Sequence, residues 1–135
     1  MAIKKDKNAQ ADKSENMHNK KLGLKGEKKA RRYLRFHGWK ILEKNFKNPF
    51  GEVDIIARKG DTCAFIEVKT RLTDTFGAPS EAVTYQRQQR YIMGAKYYFA
   101  GKRPQCTVRF DIIEIFRGQL NHIENAFRDK SRYAN

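Results

Sequence analysis

The sequence predicts a single α/β layered domain. Three observations carry this: the length, a strand-like alternation in a central hairpin and again in a later strand, and a pair of helices in the order α-β-β-β-α-β. At 135 residues the chain fits one domain and can bury a core without disulfide staples. Positions 1–19 are polar, rich in Lys, Asn, Asp and Ala, and show no apolar period. They predict a disordered basic tail. The domain is expected over 20–117, with a weakly structured C-terminal tail over 118–135.

The elements follow in order. Lys20 to His37 reads as a helix stopped by Gly38. Its inner stripe is Gly23, Gly26, Glu27, Ala30, Leu34 and His37, and small residues there would let the helix lie close to a sheet. Trp39–Phe46 is a first strand, closed by the turn "KNPFG"; Glu52–Arg58 is a second and Thr62–Arg71 a third. After the loop "LTDTFGAPS", Pro79-Ser80 leads into a second helix over Glu81–Ala100. Cys106–Phe116 is a fourth strand, with Val108, Phe110 and Ile112 alternating against Arg109 and Asp111. The order is α-β-β-β-α-β, without an internal repeat.

The apolar hairpin "GEVDIIARKGDTCAFIEVKTR" (51–71) carries four charges that need an explanation: Glu52, Asp54, Glu67 and Lys69. Strand side chains alternate faces. Val53, Ile55 and Ala57 therefore share one face, and Glu52, Asp54 and Ile56 the other. Glu67 and Lys69 are same-face neighbours on the third strand. A two-residue Gly60-Asp61 turn sets Lys59 against Thr62 and Asp54 against Glu67. A four-residue loop keeps that register, whereas another length offsets it. Two opposed carboxylates repel. Either Lys69 acts as counter-ion on a solvated hairpin face, or a hard divalent cation, Mg²⁺ or Mn²⁺, uses both carboxylates.

Charge points to the partner. Lys and Arg number 29 against 15 Asp and Glu, a net charge of +14. Removing positions 1–21 takes away six Lys and three acids, so the rest keeps +11. A polyanion is the expected partner, nucleic acid first. Lys25, Lys28, Lys29, Arg31, Arg32 and Arg35 occupy much of the first helix. The two cysteines, Cys63 and Cys106, show no CxxC and no nearby histidine pair, which argues against structural zinc and fits a reducing, cytoplasmic setting. No apolar run is long enough to span a membrane, and the basic N-terminus lacks a signal peptide's apolar stretch.

Asp, a hairpin spacer, then Glu-x-Lys resembles the PD-(D/E)xK nuclease signature. The α-β-β-β-α-β order with a mixed central sheet matches the restriction endonuclease-like core of that superfamily. More closely, "GLKGEKKARRYLRFHGW" (23–39), "NFKNPFGEVDIIARKG" (45–60), "FIEVKTR" (65–71), "GAPSEAV" (77–83) and "RFDII" (109–113) resemble the YraN-like bacterial family, related to Holliday-junction resolvases. The resemblance covers roughly residues 22–116. It implies that Asp54 and Glu67 are metal ligands and Lys69 the catalytic lysine, and that Glu27 completes the metal site. Glu52 and Gln88 would be accessory. Val53 stands where the superfamily signature has proline, and Arg87 where the family usually has lysine. Arg71 and Arg87 join the basic helix as candidates for gripping a phosphate backbone. The implied activity is metal-dependent cleavage of DNA, with RNA left open, selective for branched or junction structure because backbone contacts carry no base information. A homodimer is implied by the resemblance alone. The alternatives are a nucleic-acid-binding module that does not cut, and an RNA-binding surface using Tyr85, Tyr91, Tyr97, Tyr98 and Phe99. The spacing of those aromatics favours core packing instead.

Overall fold

The computed structural model describes residues 2–72 and 83–130, and for 2–13, 15 and 16 the backbone alone. The elements are α1 (Ala2–Phe36), β1 (Lys40–Asn48), β2 (Gly51–Lys59), β3 (Thr62–Arg71), α2 (Tyr85–Tyr98), β4 (Thr107–Phe116) and β5 (Gln119–Phe127). The five strands form one mixed sheet in chain order. Every pairing is antiparallel except β3 with β4, which is parallel and is reached by the crossover that contains α2. This is the expected α/β class, with one strand more than expected.

Alternation along β3 divides the core into two layers. Ala64 and Ile66 pack with Ala30 and Leu34 of α1 and with Trp39. Cys63 and Phe65 pack with Tyr91, Ile92 and Ala95 of α2. The helices therefore cover opposite faces. Of the small inner glycines of α1, Gly26 brings it close, whereas Gly23 has nothing within 4 Å. A Cβ on Gly26 would meet the Thr70 hydroxyl at 2.0 Å, inside any real contact. On α2, a Cβ on Gly94 would press on Asn48 and Val53 at 3.2 Å.

Several boundaries differ from the sequence expectation. The first helix begins at Ala2, so positions 2–19 are helical and not a disordered tail. Positions 2–22 contain no Gly or Pro and are rich in Ala and Lys, which favour helix without needing an apolar stripe. His37 lies just past that helix and is exposed rather than inward. The second helix starts at Tyr85, where the Thr84 hydroxyl accepts from Arg87 N–H at 3.2 Å as an N-cap. The proposed lead-in at Pro79-Ser80 and the start at Glu81 lie outside the described residues, as does most of "GAPSEAV". The segment expected to be weakly structured contains β5. It is joined to β4 by Arg117-Gly118, both at positive φ (49° and 81°), as a tight hairpin turn requires. Its alternation is hidden by a register shift opposite Phe110–Ile112, beside Asn125 at φ 55°.

Candidate functional site

The β2–β3 hairpin has the expected turn and register. Gly60 sits at φ 57° in a two-residue loop, and the pairs run from Lys59–Thr62 to Ile55–Ile66. The ladder then stops, one step short of Asp54 and Glu67. Asp54 Oδ2 instead accepts from the Val68 N–H at 2.8 Å. The buried Tyr91 hydroxyl accepts from the Asp54 N–H at 3.1 Å and leans on the Ile66 carbonyl at 3.4 Å. Side chains thus take over from backbone partners, and the hairpin opens where its carboxylates lie. The same distortion moves Val53 out of the face expected for it. Val53 packs in the α2 layer while Ile55 and Ala57 pack in the α1 layer. Beside it in β1, Asn45 adopts φ 51°, a left-handed conformation that asparagine tolerates better than most residues.

Burial dominates the electrostatics. The Asp54 carboxyl is pushed up to about 7, first by loss of water and then by the Glu67 charge; the Val68 N–H and Arg87 oppose this. Glu67 is 2% exposed and meets Arg87 Nε at 2.9 Å, with the Arg87 side chain 48% exposed. A buried carboxylate of this kind needs such a partner. The half-buried Glu27 is raised by burial and then by Glu52, while Arg31 and a hydrogen bond with Asp54 act the other way. With its amide oriented to donate, Asn45 bridges Glu52 Oε1 at 3.0 Å and Glu27 Oε2 at 3.1 Å. The Tyr91 hydroxyl is held well above its usual range by burial, then by Glu67 and Asp54, so it stays protonated.

The structure therefore brings Glu27, Glu52, Asp54, Glu67 and Arg87 together from α1, β2, β3 and α2. Lys69 follows Glu67 on β3 and is half-buried. Gln88 donates its amide to the Val83 carbonyl at 3.1 Å and so serves the start of α2. Sequence reasoning missed Asn45 and Tyr91. The only signals were an asparagine inside a strand run and a tyrosine one turn beyond Arg87 on α2.

The basic residues divide. Lys25, Lys28, Lys29, Arg32 and Arg35 are exposed on α1. Lys29 also donates to the Gly118 carbonyl. Arg31 is half-buried and acts electrostatically on Glu27. Arg71 forms an ion pair with Glu114, and both side chains are largely buried. It is thus poorly placed to reach a backbone from outside.

Whether these residues suit a cation depends on the donor set. Among the described residues no group of three or more His, Cys, Asp or Glu is arranged to hold a metal ion. Glu27, Asp54 and Glu67 thus do not close into a three-ligand cage. Asp54 and Glu67 remain as two neighbouring hard-oxygen carboxylates, and the Glu67 charge helps to raise the Asp54 carboxyl. That fits the habit of Mg²⁺, which takes one or two carboxylates and completes its shell with water and phosphate.

Comparison with known proteins places the chain. Residues 26–115 match the family model described as Uncharacterised protein family UPF0102. A UPF0102 protein of Thermodesulfovibrio yellowstonii is 51% identical over 106 residues, covering 78% of this chain and 95% of that one. Those of Geobacter metallireducens and Clostridium acetobutylicum are 47% and 45% identical, each over 82% of this chain and over 95% and 96% of their own. The matched span contains α1 from Gly26, the opened hairpin, α2 and nearly all of β4, so the residues that build the site are those the family model covers, and the chain belongs to the UPF0102 (YraN) family.

Proposed function

We propose that the chain is a divalent-metal-dependent nuclease acting on DNA, selective for strand structure rather than base sequence. One observation carries the reading: Asp54 and Glu67 meet where the hairpin opens, so closely that burial and the Glu67 charge push the Asp54 carboxyl up to about 7, and a cation would relieve that repulsion. Asp54 and Glu67 would hold Mg²⁺ or Mn²⁺, with Glu27 hydrogen-bonded alongside. When bound, the ion would supply a polarised phosphoryl oxygen and a water of lowered pKa.

The remaining roles belong to the chain. Lys69 lies two residues beyond Glu67, on its face by strand alternation and roughly 6.6 Å along the strand. It would orient the attacking water and stabilise charge that develops on the phosphate. Arg87 pairs with Glu67 at 2.9 Å, and its half-exposed side chain can turn towards a phosphate. Tyr91 stays neutral and keeps the strands apart. Lys25, Lys28, Arg32 and Arg35 would bind backbone phosphates, giving affinity without sequence choice.

The test is a panel of linear, flapped, branched and single-stranded substrates with Mg²⁺ or Mn²⁺. Cleavage should vanish with EDTA and return with either ion. Asp54→Asn should abolish it, and Lys69→Ala should slow it about 10²-fold or more. Tight binding without cleavage of any substrate would replace this reading with the binding module.

A further inference from the structure

A cavity of about 730 Å³ lies at the far end of α2 from Arg87, between the last turn of that helix and the sheet. Its size falls within the range of about 300–1,000 Å³ usual for ligand sites. The floor is apolar and aromatic, made by Ile92, Phe99, Phe110 and Phe127. Phe110 and Phe127 stack there, with centroids 5.2 Å apart and planes at 16°. The rim is cationic. Of its basic residues, Lys96 is paired with Asp129 at 3.6 Å, and Arg109 is held by Asp111 at 2.8 Å. Lys102 and Arg128 also line the cavity, are exposed, and enter no ion pair among the described residues.

We infer that this cavity is a second nucleic-acid subsite, taking one unpaired base of a strand over the aromatic floor with its phosphate against Lys102 and Arg128. An apolar aromatic floor with two exposed cations at its lip asks for a flat ring joined to an anion, and a nucleotide unit is that combination. Base–aromatic stacking tolerates any base, so the subsite would add affinity for single-stranded character without reading sequence. Position supports the idea. The cavity opens around Ala95 and Phe99, and Arg87 lies eight residues before Ala95, roughly 12 Å along the same helix. A strand bound at the carboxylates could thus lay an unpaired flank here. The inference rests on the nucleic-acid part of the proposed function and not on cleavage.

The test uses the full-length Asp54→Asn protein without metal, so that binding is read apart from cleavage. ¹H–¹⁵N spectra are recorded with deoxyadenosine 5′-monophosphate, with inorganic phosphate, and with a single strand or a blunt duplex of matched sequence. The nucleotide and the single strand should shift the amides of Phe99, Val108 and Phe127 saturably, whereas phosphate and blunt duplex should not. Adding Lys102→Glu and Arg128→Glu, both at exposed positions, should weaken single-strand binding about tenfold or more at low salt. The inference is overturned if the nucleotide moves none of these amides at millimolar concentration, or if phosphate moves them equally. It also fails if the free nucleotide binds but the single strand does not, or if the double charge reversal leaves single-strand affinity unchanged. Absence of cleavage in the substrate panel would remove the catalytic reading and leave this result standing.

Discussion

Asp54 links the site to the stability of the molecule through its proton. Unfolded, it titrates near 3.8; folded, at about 7, because it is buried beside Glu67. Between those values the native state holds a proton the unfolded chain has released, so stability falls as pH rises from about 4 to 7. The contribution is fully present below the lower value and gone above the upper one. Three units correspond to at most about 4 kcal/mol. Asn at this position mimics the protonated acid and keeps an acceptor for Val68. Asp54→Asn should therefore match the parent near pH 4 and exceed it by up to a few kcal/mol near pH 8, without metal. Thermal melts across pH check this, and parallel profiles for the two proteins would contradict it. Mg²⁺ or Mn²⁺ should raise the melting temperature of the parent more than that of the variant, and more at pH 8 than at pH 6, since the ion competes with the proton. Tyr91→Phe tests the neighbouring link. It leaves the Asp54 N–H without its partner, and urea denaturation should show a loss of about 1–3 kcal/mol. The acidic pair was legible in the sequence because a two-residue turn fixes the register down to Ile55–Ile66, the step before Asp54 and Glu67. Tyr91 and Asn45 were not, because their roles depend on where the ladder breaks, and a break leaves no period to read.

At the scale of elements, α1 does two jobs that its sequence separates cleanly. Gly26, Ala30 and Leu34 are buried and seat the helix, while Lys28, Arg32 and Arg35 face solvent. Replacing Lys28, Arg31, Arg32 and Arg35 by Ala should weaken DNA binding and flatten its dependence on NaCl, by up to about one unit of log–log slope for each phosphate no longer neutralised. An unchanged slope in that variant would move the binding surface elsewhere. Arg31 should give least, since its charge is spent on Glu27. Small residues every fourth position made the inner face of α1 legible, and β3 was bounded correctly from Thr62 to Arg71. β5 was not, since its hairpin uses Arg-Gly where Asn-Gly would have announced the turn, and its alternation slips at Asn125. The fourth strand's buried acid has a structural explanation. Asp111 accepts from Arg109, from His122 Nε2 at 2.8 Å and from the Asn125 N–H at 2.9 Å, and His122 Nδ1 faces the Tyr33 hydroxyl at 3.2 Å. That chain of polar contacts fastens α1 to the end of the sheet that β5 completes.

The molecule as a whole is two antiparallel pieces joined side by side. β1, β2 and β3 meander through short turns, β4 and β5 form a hairpin, and the pieces are joined in one sheet by the parallel β3–β4 pairing. Short loops close cheaply, whereas the crossover from Arg71 to Thr107 must be ordered before its pairing yields anything in return. Topology predicts an order of assembly: the β2–β3 hairpin should bring Asp54 and Glu67 together early, while water still surrounds them, and their desolvation should come late, when α2 docks with Tyr91 and Arg87. A ligand of that pair should then act on interactions that form after the folding transition state, on the unfolding limb of the kinetics. Stopped-flow measurements should show Mg²⁺ slowing unfolding and leaving the refolding rate nearly unchanged, and equal acceleration of refolding would mean that the pair is already enclosed at the barrier. A cation bound at that pair would act in a cell as a brake on opening, acquired only after the chain has committed to its fold.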